Sequence, residues 1–147
     1  MKKGDTIYLL SNGDFRESAN LECWPMQDQT LKDVQKAFRK LGFKTKVLPR
    51  HDTKRKHGFI STQRQGADVF AGIDPQAPVV IVLSAWAFSH HVCGPLMTHE
   101  GPKLLLANFD GTWPGLVALL NHSGRLDRLN VKYSRLCTDS FLTDGYF

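Results

Sequence analysis

Val79-Val80-Ile81-Val82-Leu83 is the stretch on which the fold turns. Its five branched apolar side chains show no polar alternation, so an extended segment here has both faces buried. A parallel sheet covered by helices on its two sides provides that environment. The segment is therefore expected to be the central strand of such a sheet.

Upstream, Thr6-Ile7-Tyr8-Leu9-Leu10-Ser11 has the same character and ends in the turn residues Asn12-Gly13-Asp14. Residues 43–48 alternate, with Phe43, Thr45 and Val47 set against Lys44 and Lys46, which suits a sheet edge. Downstream, the apolar run 103–107 stops in Asn108-Phe109-Asp110-Gly111-Thr112-Trp113-Pro114-Gly115. That is a polar, glycine-rich turn with a proline entering the next helix, the form of a ligand-binding strand-to-helix junction. Residues 133–137 make a fifth strand.

Helical patterns lie between the strands. Leu31, Val34, Phe38 and Leu41 predict a helix capped by Thr30 with Asp33 and stopped by Gly42. A second helix spans 61–73, with Ala67, Val69, Phe70 and Ile73 on its apolar side. A short third one over 88–97 is broken by Gly94-Pro95, and a fourth spans 114–122.

Strands and helices in alternation, joined by right-handed crossovers, give an α/β fold. The expected form is a flavodoxin-like three-layer sandwich with a parallel five-stranded sheet in the order 2-1-3-4-5. The first and third strands then lie side by side and the chain reverses between them. The loops that leave them, 12–18 and 84–91, open a crevice where such folds bind ligands, with 110–115 next door. No complete helix follows the fifth strand. Residues 1–147 are accordingly expected to be one flavodoxin-like domain, the N-terminal part of a longer multidomain protein.

With 147 residues, 41% hydrophobic and 22% charged, the chain suits a globular domain with a real core. The apolar run 7–10 is too short for a signal peptide, and 78–88 is too short to span a bilayer. Cys23, Cys93 and Cys137 are odd in number, far apart and without a CxxC. They read as reduced thiols of a cytoplasmic protein. The net charge of +5 is concentrated in 50–57 and 125–135. Such runs suit either nucleic acid or plain solvent. No aromatics interleave with 50–56 for stacking, so neither a nucleic-acid nor a membrane partner is expected.

Three groups of residues carry candidate chemistry. Arg16 follows the first strand, and its planar fork of donors fits hydroxyls, carboxylates and phosphates; a surface ion pair with Glu17 or Glu22 is the plainer reading. Trp86 and Phe88 follow the third strand, and aromatic faces at a polar crevice suit sugar C–H faces, although aromatics are more often core. His90 and His91 are adjacent and expected to point apart, and His99-Glu100 belongs to no HExxH pattern, so no metal ligand set is expected in this chain. Asp110 and Thr112 precede a helix N-terminus, which favours anions or oxygen-rich ligands. No GxGxxG, GxxxxGK[ST] or nucleophile elbow is present, and Cys93 reads as a small apolar filler.

Taken in order, Arg16-Glu17-Ser18, Ser84-Ala85-Trp86-Ala87-Phe88 and Asn108-Phe109-Asp110-Gly111-Thr112-Trp113-Pro114-Gly115-Leu116-Val117 make the chain resemble the N-terminal domain of the L-fucose isomerase/L-arabinose isomerase superfamily. The last segment is similar to that family's Gly-Thr-x-x-Pro-Gly junction, one residue shorter. The resemblance implies a flavodoxin-like first domain that contacts the sugar bound by a neighbouring subunit of a homo-oligomer. It implies substrate contact for Arg16, Trp86, Asp110 and Thr112, and no catalytic residue in this chain. Aldose–ketose interconversion in that family uses a divalent metal such as manganese, held by Glu, Asp and His of later domains. This chain alone is then expected to be inactive, with the metal belonging to the full-length parent. The alternative is a stand-alone flavodoxin-like binding or signalling domain for a small phosphorylated or oxygen-rich ligand. A structural module whose exposed aromatics serve only assembly is a third.

Overall fold

The computed structural model describes residues 2–109 and 115–138. Strands and helices alternate along it: β1 (Thr6–Ser11), α1 (Glu17–Lys40), β2 (Lys44–Leu48), α2 (Gln63–Ala71), β3 (Val79–Leu83), α3 (His90–Thr98), β4 (Lys103–Asn108), α4 (Leu116–Arg128) and β5 (Ser134–Thr138). The five strands form one sheet in the order β2-β1-β3-β4-β5. Every pairing in it is parallel. This is the flavodoxin-like sandwich that the apolar runs dictate.

β3 sits at the centre with all of its residues buried. Its side chains alternate between two cores, as the strand period requires. Val79, Ile81 and Leu83 pack with Val92 and Leu96 of α3 and Ala118, Leu119 and Leu126 of α4. Val80 and Val82 pack with Leu31, Val34 and Phe38 of α1. In register, Leu10, Ile81 and Leu105 line up across three strands. Burying each of these side chains contributes about 1.5–3 kcal/mol.

Two helices run longer than the apolar spacing predicts, and a third runs through its expected break. α1 begins at Glu17, not at residue 30, and carries Pro25 inside it. Pro25 is exposed, so the carbonyl its missing N–H leaves free lies on the solvent side of the helix. Thr30 is therefore not a cap; its hydroxyl donates to the Met26 carbonyl at 2.8 Å, one turn back. α3 runs through Gly94-Pro95. Pro95 offers no N–H to the His91 carbonyl, and that carbonyl lies instead against Gly66 of α2, where any Cβ would collide with it. α4 extends to Arg128. Among the described residues no helix is long and apolar enough to cross a membrane.

Candidate functional site

Parallel strands place the loops after β1, β3 and β4 on one edge of the sheet, and hydrogen bonds draw them together. Phe88 donates its N–H to the Gly13 carbonyl at 3.1 Å. Asn12 returns its Nδ2 to the Phe88 carbonyl at 2.9 Å. Gly115, at the head of α4, donates to the Asn108 side chain at 2.8 Å. A Cβ on Gly115 would collide with the Leu83 carbonyl at the end of β3. Only glycine lets the β4–α4 junction approach β3 this closely.

The floor of this edge is a buried polar layer. Gln27 of α1 donates to the Ser11 hydroxyl at 3.1 Å and to the Val82 carbonyl at 3.0 Å. Its Oε1 accepts from the Ser84 N–H at 3.2 Å and from the Ser84 hydroxyl. One amide thus staples the ends of β1 and β3. Asn20, two turns earlier on the same face of α1, accepts from the Asp14 N–H at 2.9 Å and donates to the Asp14 carbonyl at 2.8 Å. Asn12 reaches His122 of α4 at 2.8 Å. His122 Nδ1 lies 2.7 Å from the Ala118 carbonyl. A carbonyl only accepts, so Nδ1 carries the proton and Nε2 accepts from Asn12. Burial pushes the His122 pKa down to about 4, so the ring is neutral at physiological pH. Asn12 Oδ1 is buried without a partner.

Above the floor sits Arg16. Its Nε donates to Asp14 Oδ1 at 3.1 Å and its Nη2 to Oδ2 at 2.7 Å. This is the ion pair that the plainer sequence reading anticipated, but with Asp14 in place of Glu17 or Glu22. Asp14 is 1% exposed and Arg16 59%. Burial pushes the Asp14 carboxyl up, but the bonds and charge of Arg16 outweigh it and hold the group below its ordinary value. The guanidinium is thereby fixed in place with its outer N–H bonds facing solvent.

Aromatic faces lie alongside. Arg16 sits 5.8 Å from the Phe15 ring centroid. Phe15 meets Phe88 edge-on at 4.9 Å, and Phe88 meets Trp86 at 6.4 Å. Phe15, Trp86 and Phe109 are exposed although large and apolar. Arg16 and Trp86 therefore belong to one continuous group of side chains. Asp110 and Thr112 lie outside the described residues.

A second polar cluster borders the first. Glu17, the first helical residue of α1, takes Arg55 Nη2 at 3.0 Å and Nε at 3.2 Å. His57 Nε2 is 2.9 Å from the same carboxylate. His57 Nδ1 accepts the Phe59 N–H at 3.1 Å, so Nε2 is the donor to Glu17. The hydrogen bond from Arg55 holds the Glu17 carboxyl below its ordinary value. The basic run 50–57 is thus not wholly solvated: its Arg55 and His57 turn inward and tie the loop after β2 to α1.

The sequence reading named Arg16 and Trp86 as candidates, which the structure brings into one group of side chains; it did not name Asp14, Asn12, Asn20, Gln27 or His122. The run Asn12-Gly13-Asp14 announced a turn, and nothing local announced that Asp14 would be buried. The rings of His90 and His91 do not diverge as expected; they meet edge-on at 4.7 Å. Among the described residues no three His, Cys, Asp or Glu side chains cluster as a metal ion would require. Arg16 and the aromatics are not metal donors.

Compared with known protein families and with curated proteins, the chain matches none.

Proposed function

We propose that this chain is a sugar-recognition and oligomer-contact domain of an aldose–ketose isomerase-like protein. One observation carries the reading: the Asp14–Arg16 pair set beside the Phe15, Phe88 and Trp86 rings where β1 and β3 part. A guanidinium already matched by a carboxylate carries little net charge, so it favours hydroxyls over phosphate. Its remaining N–H bonds are donors for a polyol, and Asp14 holds it still, which lowers the entropy cost of binding. The aromatic rings present faces for the C–H side of the sugar. Their exposure also suits contact with a second subunit, which would close the shallow edge over the ligand.

Ketol isomerisation needs a base to move a carbon-bound proton and an electrophile, in this reading a divalent metal such as manganese, to polarise the oxygens. In this reading neither role falls to the described residues of this edge. The chemistry is assigned to further domains of a longer parent, and this chain recognises without converting.

The test has two arms. A panel of aldoses and ketoses is titrated into the 147-residue chain while the Trp86 indole and Arg16 Nε–H NMR signals are followed. Saturable shifts that vanish in Arg16→Ala and Trp86→Ala are expected. In the longer parent, Arg16→Ala should lower turnover and leave bound metal unchanged. Turnover by the 147-residue chain with manganese, or metal loss in the Arg16 variant, would overturn the proposal.

A further inference from the structure

One imidazole ties the loop after β2 to the end of β1. His57 is buried. Its Nε2 donates to Glu17 and its Nδ1 accepts the Phe59 N–H at 3.1 Å. Just beyond, Ile60 pairs with the chain leaving β1. It donates its N–H to the Ser11 carbonyl at 2.8 Å and accepts the Gly13 N–H at 2.9 Å. The Phe59 side chain and the Asn20 amide leave no room for a Cβ on Gly13. Asn20 in turn holds the N–H and the carbonyl of Asp14, whose carboxylate fixes Arg16. A short chain of contacts thus leads from the His57 ring to the Arg16 guanidinium.

The ring supports this arrangement only while Nδ1 is bare. Nε2 already carries a proton, so a second one goes to Nδ1. Two donors, Nδ1–H and the Phe59 N–H, then face each other away from water, and their bond is lost. The charges around the ring are Glu17 of α1 and Arg55 and Asp52 of the loop itself. Burial and Arg55 oppose the proton, the two carboxylates favour it, and the balance lies below the ordinary histidine value. Trp24 of α1, which also meets the His51 ring, and Phe59 flank the imidazole with uncharged rings. From α3, His91 approaches the same Gly13 and Ile60 backbone, so its own titration needs separating from that of His57.

We propose that His57 is an acid-sensitive latch: its neutral ring pins residues 57–60 to the end of β1, and its protonation frees them and loosens the Asp14–Arg16 pair. Once released, the ring meets water and takes up its proton at the ordinary 6.5. Acid therefore favours the released state. The latch involves no ligand and stands independently of the sugar reading.

The test is amide hydrogen exchange and NMR of the 147-residue chain from about pH 7.5 to about pH 5, with each rate corrected for its intrinsic pH dependence. Protection at Gly13 and Ile60 should fall by roughly tenfold per pH unit below 6.5, while the β3 amides stay protected. The Phe59 amide and Arg16 Nε–H signals should shift with the His57 ring nitrogens, at one midpoint. His57→Asn keeps an acceptor for the Phe59 N–H but does not titrate, and should abolish the fall; His91→Gln should leave it in place. If either variant fails to fold, the shared midpoint in the unaltered chain still decides. Loss of β3 protection at the same pH would make the change global unfolding and refute the latch. So would a fall that persists in His57→Asn or disappears in His91→Gln, or an Arg16 signal that does not follow His57.

Discussion

Burial fixes the protonation of His122. Its ring is 0% exposed and its pKa falls from the ordinary 6.5 to about 4. Burial also lowers the pKa of His57 and His91. The sign follows directly. Below the ordinary histidine value the unfolded chain takes up protons that the folded one refuses, so stability falls as pH falls. The contribution is complete above pH 6.5 and is lost progressively toward about 4. For His122 the slope is about 1.4 kcal/mol per pH unit. Asp14 and Glu17 act lower down. Their carboxyls lie below the ordinary 3.8 and 4.5, so their support persists until pH drops through that range. The urea-unfolding midpoint should hold between pH 7.5 and 6.5 and fall steadily from there to pH 4.5. His122→Gln, which keeps an acceptor for Asn12, should flatten that fall; an unchanged slope would contradict the assignment.

At the scale of elements, the N-terminal half of α1 explains why the candidate site was only half legible. A helix is read from an apolar stripe. Here the buried side carries Asn20, Cys23, Gln27 and Thr30 before Leu31, Val34 and Phe38 restore the stripe. The amides of Asn20 and Gln27 are buried because they hold the loops after β1 and β3. The same residues thus erase the helical signal and build the site. α2 and α3 teach a related lesson. Gly94-Pro95 reads as a break, yet the helix continues because Gly66 lets α2 lie against the His91 carbonyl. Gly66→Ala should therefore destabilise the fold by about 1–3 kcal/mol through overpacking, although alanine is the better helix former. Denaturant titration checks this; a stabilised variant would show that the two helices are free to part.

At the scale of the whole molecule, the sheet rests on one strand. Ile81 is 1% exposed and lies between Leu10 and Leu105 in register. Ile81→Ala should cost roughly 2–5 kcal/mol, the lost transfer energy plus a cavity that neighbours on both sides cannot close. A loss below ~1 kcal/mol in calorimetry or urea unfolding would show that this core relaxes far more than a close-packed interior should. The sheet also assembles the candidate site by geometry. Parallel pairing sends the loops after β1, β3 and β4 to one edge, so Arg16, Trp86 and Gly115 meet there although up to 99 positions separate them.

The order of the strands, their parallel sense and the edge on which the three loops gather were all determined by the sequence alone. They follow from apolar runs such as Val79–Leu83, which suit only a sheet covered on both faces, and from chain connectivity. Tertiary structure alone decided the partners. That Asp14 would be buried under Arg16, that Asn12 would reach across to His122, and that Glu17 would gather Arg55 and His57 are long-range polar pairings. A polar side chain carries no periodic signature of its partner. Its bond forms because a buried donor or acceptor left unpaired is costly, and which group lies within reach is known only once the chain is folded.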